Sequence, residues 1–234
     1  MRTIGIIGAM EEEIAFLRDK MEVVTTKSVV GLTYDIGRYA GNNIVLVKSG
    51  IGKVNAAVCT QAMIDHFGVD YVINTGVAGA IHEDLRIGDI LISVDAVQHD
   101  MDTSVFGDPI GVIPRMAESC FKADEALVRL AQEAAEKCGL DCRVLTGRIA
   151  SGDQFISSHE GKERIRRTVK GDCAEMEGAA IAQTCWLNRI PFVVIRAISD
   201  DANEEAGISY DEFCVMAAKR SSLLTETMLE QMNE

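Results

Sequence analysis

Positive charge is what this chain has least of. Its 23 lysines and arginines stand against 36 aspartates and glutamates, a formal net charge of −13. Phosphate backbones are held by clustered cations, so the balance excludes nucleic acid as a partner. It names no partner itself, because an acidic surface also serves solubility alone. Long apolar runs are missing as well, and no stretch reaches the length of a membrane span. The opening MRTIGIIGAMEEE has an apolar run too short for a signal peptide, ends in three glutamates and offers no small-residue cleavage site. Organised cysteine chemistry is a further absence. The seven cysteines, Cys59, Cys120, Cys138, Cys142, Cys173, Cys185 and Cys214, are odd in number and show no CxxC or Cys/His ligand spacing. They read as small buried hydrophobes in a reducing compartment, which predicts a cytoplasmic protein. Cys138 and Cys142 are separated by the helix-breaking Gly139 and are not read as a metal pair. Low-complexity tracts, repeats and linkers are absent too.

What is present is 234 residues, 47% of them hydrophobic and 25% charged, the size and composition of one large α/β domain needing neither disulfides nor metals. Ile- and Val-rich runs predict strands at 3–7, 43–48, 71–74, 89–96, 142–150, 172–174 and 192–197, with a hairpin over 23–29 and 33–39. Helical periodicity predicts helices over 10–20, 52–66, 123–138, 159–169, 175–187 and 210–232. Residues 98–122 read as irregular but apolar. Strands followed by helices imply a mostly parallel sheet covered on both faces, and the hairpin makes it mixed. The expectation is therefore a three-layer α/β/α sandwich, one domain over residues 1–234.

Ligands of such sheets lie beyond the carboxyl ends of the strands, which selects the segments 8–13, 49–53, 75–80, 151–156, 175–178 and 196–200. The glycine-rich GIIGAM and TGVAGA complete neither a GxGxxG nor a GxxxxGK[ST] fingerprint. The first continues into Glu11, Glu12 and Glu13, which would repel a phosphate at that helix start. Acids favoured in a first helical turn explain Glu11 and Glu12 well. In AEMEGAAIA the glutamates are two residues apart and cannot share one helix face, so one at most is expected in the cleft. In RAISDDA a helix cap explains one Ser or Asp but not Arg196 on the end of a buried strand, which needs carboxylate partners. In SGDQFI, Phe155 is a core residue by default, or an aromatic able to stack on a flat base if it faces the cleft.

Taken together, IGIIGAMEEEI at the start, KSGIGKVNAA at 48–57, NTGVAGA at 74–80, SGDQFI at 151–156, EMEGAAIA at 175–182 and RAISDDA at 196–202 resemble the 5′-methylthioadenosine/S-adenosylhomocysteine nucleosidases of the nucleoside phosphorylase superfamily over nearly the whole chain. The resemblance implies that Glu13 activates the attacking water, Asp200 protonates N7 of adenine, and Glu177 binds the ribose hydroxyls above Met176. Phe155 would stack on adenine and the backbone of Ile156 would read its amino edge. Met10, Ile51, Phe106 and Tyr210 would line a 5′-alkylthio pocket, while Gly79, Ser199 and Arg196 complete the substrate contacts. It also implies a homodimer in which Pro114 reaches the neighbouring site. No metal or cofactor is called for: leaving an oxocarbenium-like sugar needs an acid, a base and nearby negative charge. Asp200 must then hold a proton near neutrality, through burial or neighbouring carboxylates. Val77 and Ala80 depart from the serine and glycine of the family's TGSAGG loop, which bears on substrate preference rather than on the reaction, and Tyr210 stands where some relatives have phenylalanine.

Three rival functions follow. A phosphorylase would need phosphate-binding arginines on the first and third strand-end loops, and GAMEEE and TGVAGA carry none. A nucleosidase for aminodeoxyfutalosine is not separable by sequence. A non-catalytic purine-binding protein would have no use for Glu13, Glu177 and Asp200 together.

Overall fold

A strand with apolar side chains on both faces needs a covering layer on each side, and the sheet of this protein is built from such strands. The computed structural model describes residues 2–200 and 213–232, with the backbone of 210–212. The chain runs through β1 (Thr3–Gly8), α1 (Glu11–Lys20), β2 (Glu22–Val29), β3 (Leu32–Tyr39), β4 (Asn42–Lys48), α2 (Lys53–Phe67), β5 (Tyr71–Ala80), β6 (Ile90–Gln98), a single 3-10 turn (Ser104–Phe106), β7 (Cys120–Lys122), α3 (Glu125–Lys137), β8 (Val144–Ser151), α4 (His159–Val169), β9 (Cys173–Glu175), α5 (Gly178–Asn188), β10 (Phe192–Asp200) and α6 (Tyr210–Gln231). Among the described residues these form one mixed ten-stranded sheet. The inner pairings β4–β1, β1–β5, β5–β10, β6–β8 and β8–β9 are parallel. The hairpin β2–β3 extends one edge antiparallel to β4. β6 joins β10 and β7 in antiparallel fashion.

Alternation sorts the strand residues between two cores. Ile4, Ile6, Ile44, Leu46, Val193 and Ile195 pack with Ile14 and Leu17 of α1, Leu127 and Ala131 of α3, and Ala217 and Leu224 of α6. Ile7, Val45, Val47, Phe192 and Val194 pack with Cys59 and Met63 of α2 and with Ala179, Ile181 and Cys185 of α5. A smaller cluster, Val97, Ala150, Ile165 and Val169, seats α4 against β6 and β8. The expected three layers are thus present. No helix among the described residues is long and apolar enough to cross a membrane.

Four boundaries differ from the sequence expectation, and each has a physical reason. TGVAGA is not a loop: β5 continues through Ala80 because Gly76–Gly79 stay in parallel register with β10, and Gly79 and Ala80 also pair with β9. The last strand runs on to Asp200 rather than stopping at Ala197, across a bulge after Ile198. β7 emerges from the segment expected to be irregular because it adds to the free edge of β6. Glu175 belongs to a strand and not to the following helix, which starts at Gly178.

Gly37 in β3 faces the bulge of β2, where the register shifts between Val23 and Thr25. A Cβ there would run into the backbone carbonyl of Glu22, which cannot swing aside as a side-chain tip could. Gly37→Ala is expected to destabilise the protein by about 1–3 kcal/mol, read as a lower urea midpoint with an unchanged m-value.

Candidate active site

The carboxyl ends of β1, β5, β9 and β10 converge on a cleft of about 120 Å³ lined by Ala9, Met10, Glu13, Ile51, Val77, Ala78, Gly79, Phe155, Ala174, Glu175, Met176, Glu177, Ser199 and Asp200. A smaller recess of about 30 Å³ adds Gln154 and Ile156 beside Phe155. Met10, Glu13, Ile51, Gly79, Phe155, Ile156, Met176, Glu177, Ser199 and Asp200 therefore meet as expected. Three expected residues do not line it. Phe106 is 84% exposed on the 3-10 turn, Pro114 is also exposed, and Arg196 lies beneath the floor. Tyr210 has its side chain outside the described residues.

Glu13 sits in the first turn of α1 with its carboxylate turned back over the helix start. Oε2 accepts hydrogen bonds from the amides of Ala9 (2.6 Å) and Met10 (3.0 Å). Oε1 accepts from the amide of Val77 across the cleft (3.1 Å). Only Gly76 permits this approach, since a Cβ there would stand 2.5 Å from Oε1. Burial pushes the carboxyl above its usual range, with Arg196 and the three amides pulling the other way. A carboxylate so placed is a stronger base than one in water.

Beneath the cleft, Arg196 is 2% exposed. Its Nη2 donates to Glu175 and to Asn74 Oδ1 (2.5 Å), and its Nε donates to Glu175 Oε2 (3.2 Å). Asn74 in turn donates to the carbonyl of Ile7 (2.8 Å). Glu175 also accepts from the amides of Glu177 (3.1 Å) and Gly178 (2.8 Å) at the start of α5, and from the Ser151 hydroxyl. Arg196 thus has the carboxylate partner that burial demands, but the partner is Glu175, and the pair braces the cleft rather than reaching into it. Both glutamates of the EME segment border the cleft, Glu175 with its carboxylate engaged by Arg196, Ser151 and the first amides of α5. Glu175 ends a strand and Glu177 caps a helix, so the rule against sharing a helix face does not apply.

Glu177 accepts a hydrogen bond from the amide of Gly52 (2.8 Å), a residue at φ 98° that a side chain would strain. Burial first, and then the charge of Glu175, push its carboxyl up to about 8, while Arg196 and the Gly52 amide oppose them. Asp200 has different company: Ser199 Oγ donates to its Oδ1 (3.0 Å), and Lys162 Nζ lies 3.4 Å from its Oδ2. Its contacts are thus a hydroxyl and a cation, and it is itself buried. Lys162 is 4% exposed and was not singled out in the sequence. Its signal was nonetheless there, because it shares an α4 face with Ile165 and Val169, at helical spacings that mark the buried side.

The chain matches the family model of the phosphorylase superfamily over residues 3–230. It is 47% identical to the 5′-methylthioadenosine/S-adenosylhomocysteine nucleosidase of Geobacillus kaustophilus, with 98% of this chain and 97% of the relative covered. The chain belongs to that nucleosidase family. Among solved structures, the family's enzyme from Colwellia psychrerythraea in complex with adenine superposes with a TM-score of 0.92 at 40% identity, covering 98% of this chain and 95% of that one. The futalosine hydrolase of Helicobacter pylori superposes at 0.91 with 38% identity, covering 98% of each chain. Nucleosidase family membership therefore rests on full-length agreement in sequence and in fold.

The raised carboxyl of Glu177 has a consequence for stability. The folded protein keeps this proton up to about pH 8, whereas an unfolded chain releases it near its ordinary value of 4.5. Folding stability therefore falls as pH rises through that window. Glu177→Gln keeps an oxygen for the Gly52 amide without the charge, and is expected to raise the melting temperature at pH 8, with the gain vanishing towards pH 5. About 1 kcal/mol corresponds to roughly 2–4 °C in a protein of this size, which scanning calorimetry across pH resolves.

Proposed function

We propose that this protein is a nucleosidase that hydrolyses the N-glycosidic bond of 5′-methylthioadenosine and S-adenosylhomocysteine, releasing adenine and the 5-thioribose product. The observation that carries the reading is the convergence of Glu13, Glu177 and Asp200 on a cleft whose lining, among the described residues, includes neither lysine nor arginine. A phosphorylase must bind its anionic nucleophile with cations; a water nucleophile needs only a base. The relatives support the same choice: the curated one is a nucleosidase of that name, and one structural neighbour holds adenine. The likeness to a futalosine hydrolase extends the proposal to aminodeoxyfutalosine as a further substrate.

In this reading adenine rests against Phe155, with the backbone of Ile156 and Gly79 at its edge. Asp200 delivers a proton to N7, so that the purine leaves neutral. Glu13 takes a proton from the water that attacks C1′. Glu177 hydrogen-bonds the ribose hydroxyls above Met176, close to the cationic sugar of the transition state. Met10 and Ile51 face the 5′-thio substituent. Arg196 acts from below, holding Glu175 and offsetting the repulsion among the carboxylates. Each proton-transfer group is expected to contribute about 10²–10⁴-fold. Asp200→Asn and Glu13→Gln should therefore each lower adenine release by that order while an unreactive nucleoside analogue still binds. Removing phosphate from the assay should leave the wild-type rate unchanged. Adenine release that requires phosphate would make the enzyme a phosphorylase instead.

The proposal includes a single domain in the cytoplasm, acting as a homodimer. Val105 and Phe106 are both 84% exposed on the 3-10 turn, and apolar residues presented this way mark a surface to be covered. A second copy seated there would bring Pro114 and Phe106 to the neighbouring 5′ pocket. Dilution followed by light scattering and adenine release is expected to lower mass and activity together; a fully active monomer contradicts the dimer.

A further inference from the structure

Each turnover of the proposed reaction leaves the site with its protons in the wrong places. As the C1′–N9 bond breaks, its electron pair goes to adenine, whose N7 takes the Asp200 proton. Water gives its hydroxyl to C1′ and its other proton to Glu13. Asp200 is then ionised and Glu13 protonated, the reverse of the starting state. One proton must leave Glu13 and one must return to Asp200, while adenine and sugar still fill the cleft that both carboxylates face.

Asp200 has a second side. Lys162 Nζ lies 3.4 Å from its Oδ2, and the same lysine lines a separate cavity of about 280 Å³ behind the site. The charged and titratable residues around that cavity are His82, Glu83 and Arg86 from the β5–β6 connection and His159, Glu163 and Arg166 from α4. Arg166 and Glu83 pair across these two segments at 3.6 Å. A buried ammonium placed between a polar cavity and a buried carboxylate has a donor on one side and an acceptor on the other.

We infer that Lys162 returns the proton to Asp200, drawing it from water in the rear cavity. The step moves one proton from Lys162 Nζ to Asp200 Oδ2, leaving a neutral amine, which takes a proton from cavity water; the hydroxide so formed is neutralised through solvent by the proton that Glu13 gives up, so the cycle closes with no other reactant. Lys162 is not among the described residues that line the cleft, and it acts only through Asp200. The inference rests on the nucleosidase reading and adds to it a route by which protons reach the acid without passing the bound purine.

The test compares the first turnover with the steady state, by rapid quench with excess 5′-methylthioadenosine. Lys162→Met is expected to form its first equivalent of adenine near the wild-type rate and then to slow by about tenfold or more, giving a burst that the wild type lacks. Lys162→Arg keeps the charge, but a guanidinium does not give up its proton, so it should show the same burst. It also serves should the methionine variant fail to fold. Methylamine added to Lys162→Ala is expected to restore the steady state in proportion to its concentration. A first turnover slowed as much as the steady state, or a steady state unchanged in both the methionine and arginine variants, overturns the proton route while leaving the nucleosidase reading intact. A wild type that releases no adenine overturns that reading instead.

Discussion

A guanidinium with 2% of its surface exposed is tolerable only where charge and hydrogen bonds replace its lost water, and Arg196 finds these on several elements at once. Glu175 answers its charge from β9, and Asn74 binds it from β5. Glu175 is itself held by Ser151 at the end of β8 and by the first amides of α5. Removing one partner of such a pair strands the other in a dry interior, at a cost of roughly 3–5 kcal/mol. The strands that supply the cleft are thus tied together by one ionic knot, and Glu13 and Glu177 above it both lie in the field of Arg196.

Those carboxylates share the cleft but not an environment. Glu13 is ringed by backbone amides. Glu177 accepts one amide, that of Gly52, and has a carboxylate neighbour. Asp200 has a hydroxyl on one oxygen and an ammonium on the other. Three like groups close together would otherwise compete for the same protons. Dissimilar surroundings are what the proposed division into base, sugar-binding group and acid requires.

Much of this was legible along the chain. α4 spans His159–Val169 with Ser158 as its cap, as the amphipathic pattern after a serine pair indicates, and the hairpin β2–β3 follows its strand alternation. The strand-end segments are legible because polar residues follow apolar runs, but it is the resemblance to the nucleosidases that singles out Glu13, Glu177 and Asp200 and makes Phe155 a stacking residue rather than a core one. Local signals fail where a distant strand decides the outcome. Glycines in TGVAGA read as a loop, yet partners on both sides hold them extended. Arg196 demands a carboxylate in the sequence, but only the placement of β9 beside β5 identifies it as Glu175. The contact between Lys162 and Asp200 spans 38 positions, and nothing between them announces it.

The bare backbone of β5 carries one more implication. A Cβ at Gly76 would stand 2.5 Å from Glu13 Oε1, and one at Gly79 would stand 2.7 Å from Asp200 Oδ2. Glu13 and Asp200 therefore each occupy a gap left by a missing side chain, three residues apart on the same strand. If β5 slipped by one position against its neighbours, a methyl or isopropyl group would enter at least one gap and expel the carboxylate. Only the native register leaves both gaps empty, so turnover reports the alignment of the sheet itself. A misfolded population that kept its helices and its compactness would still be catalytically silent.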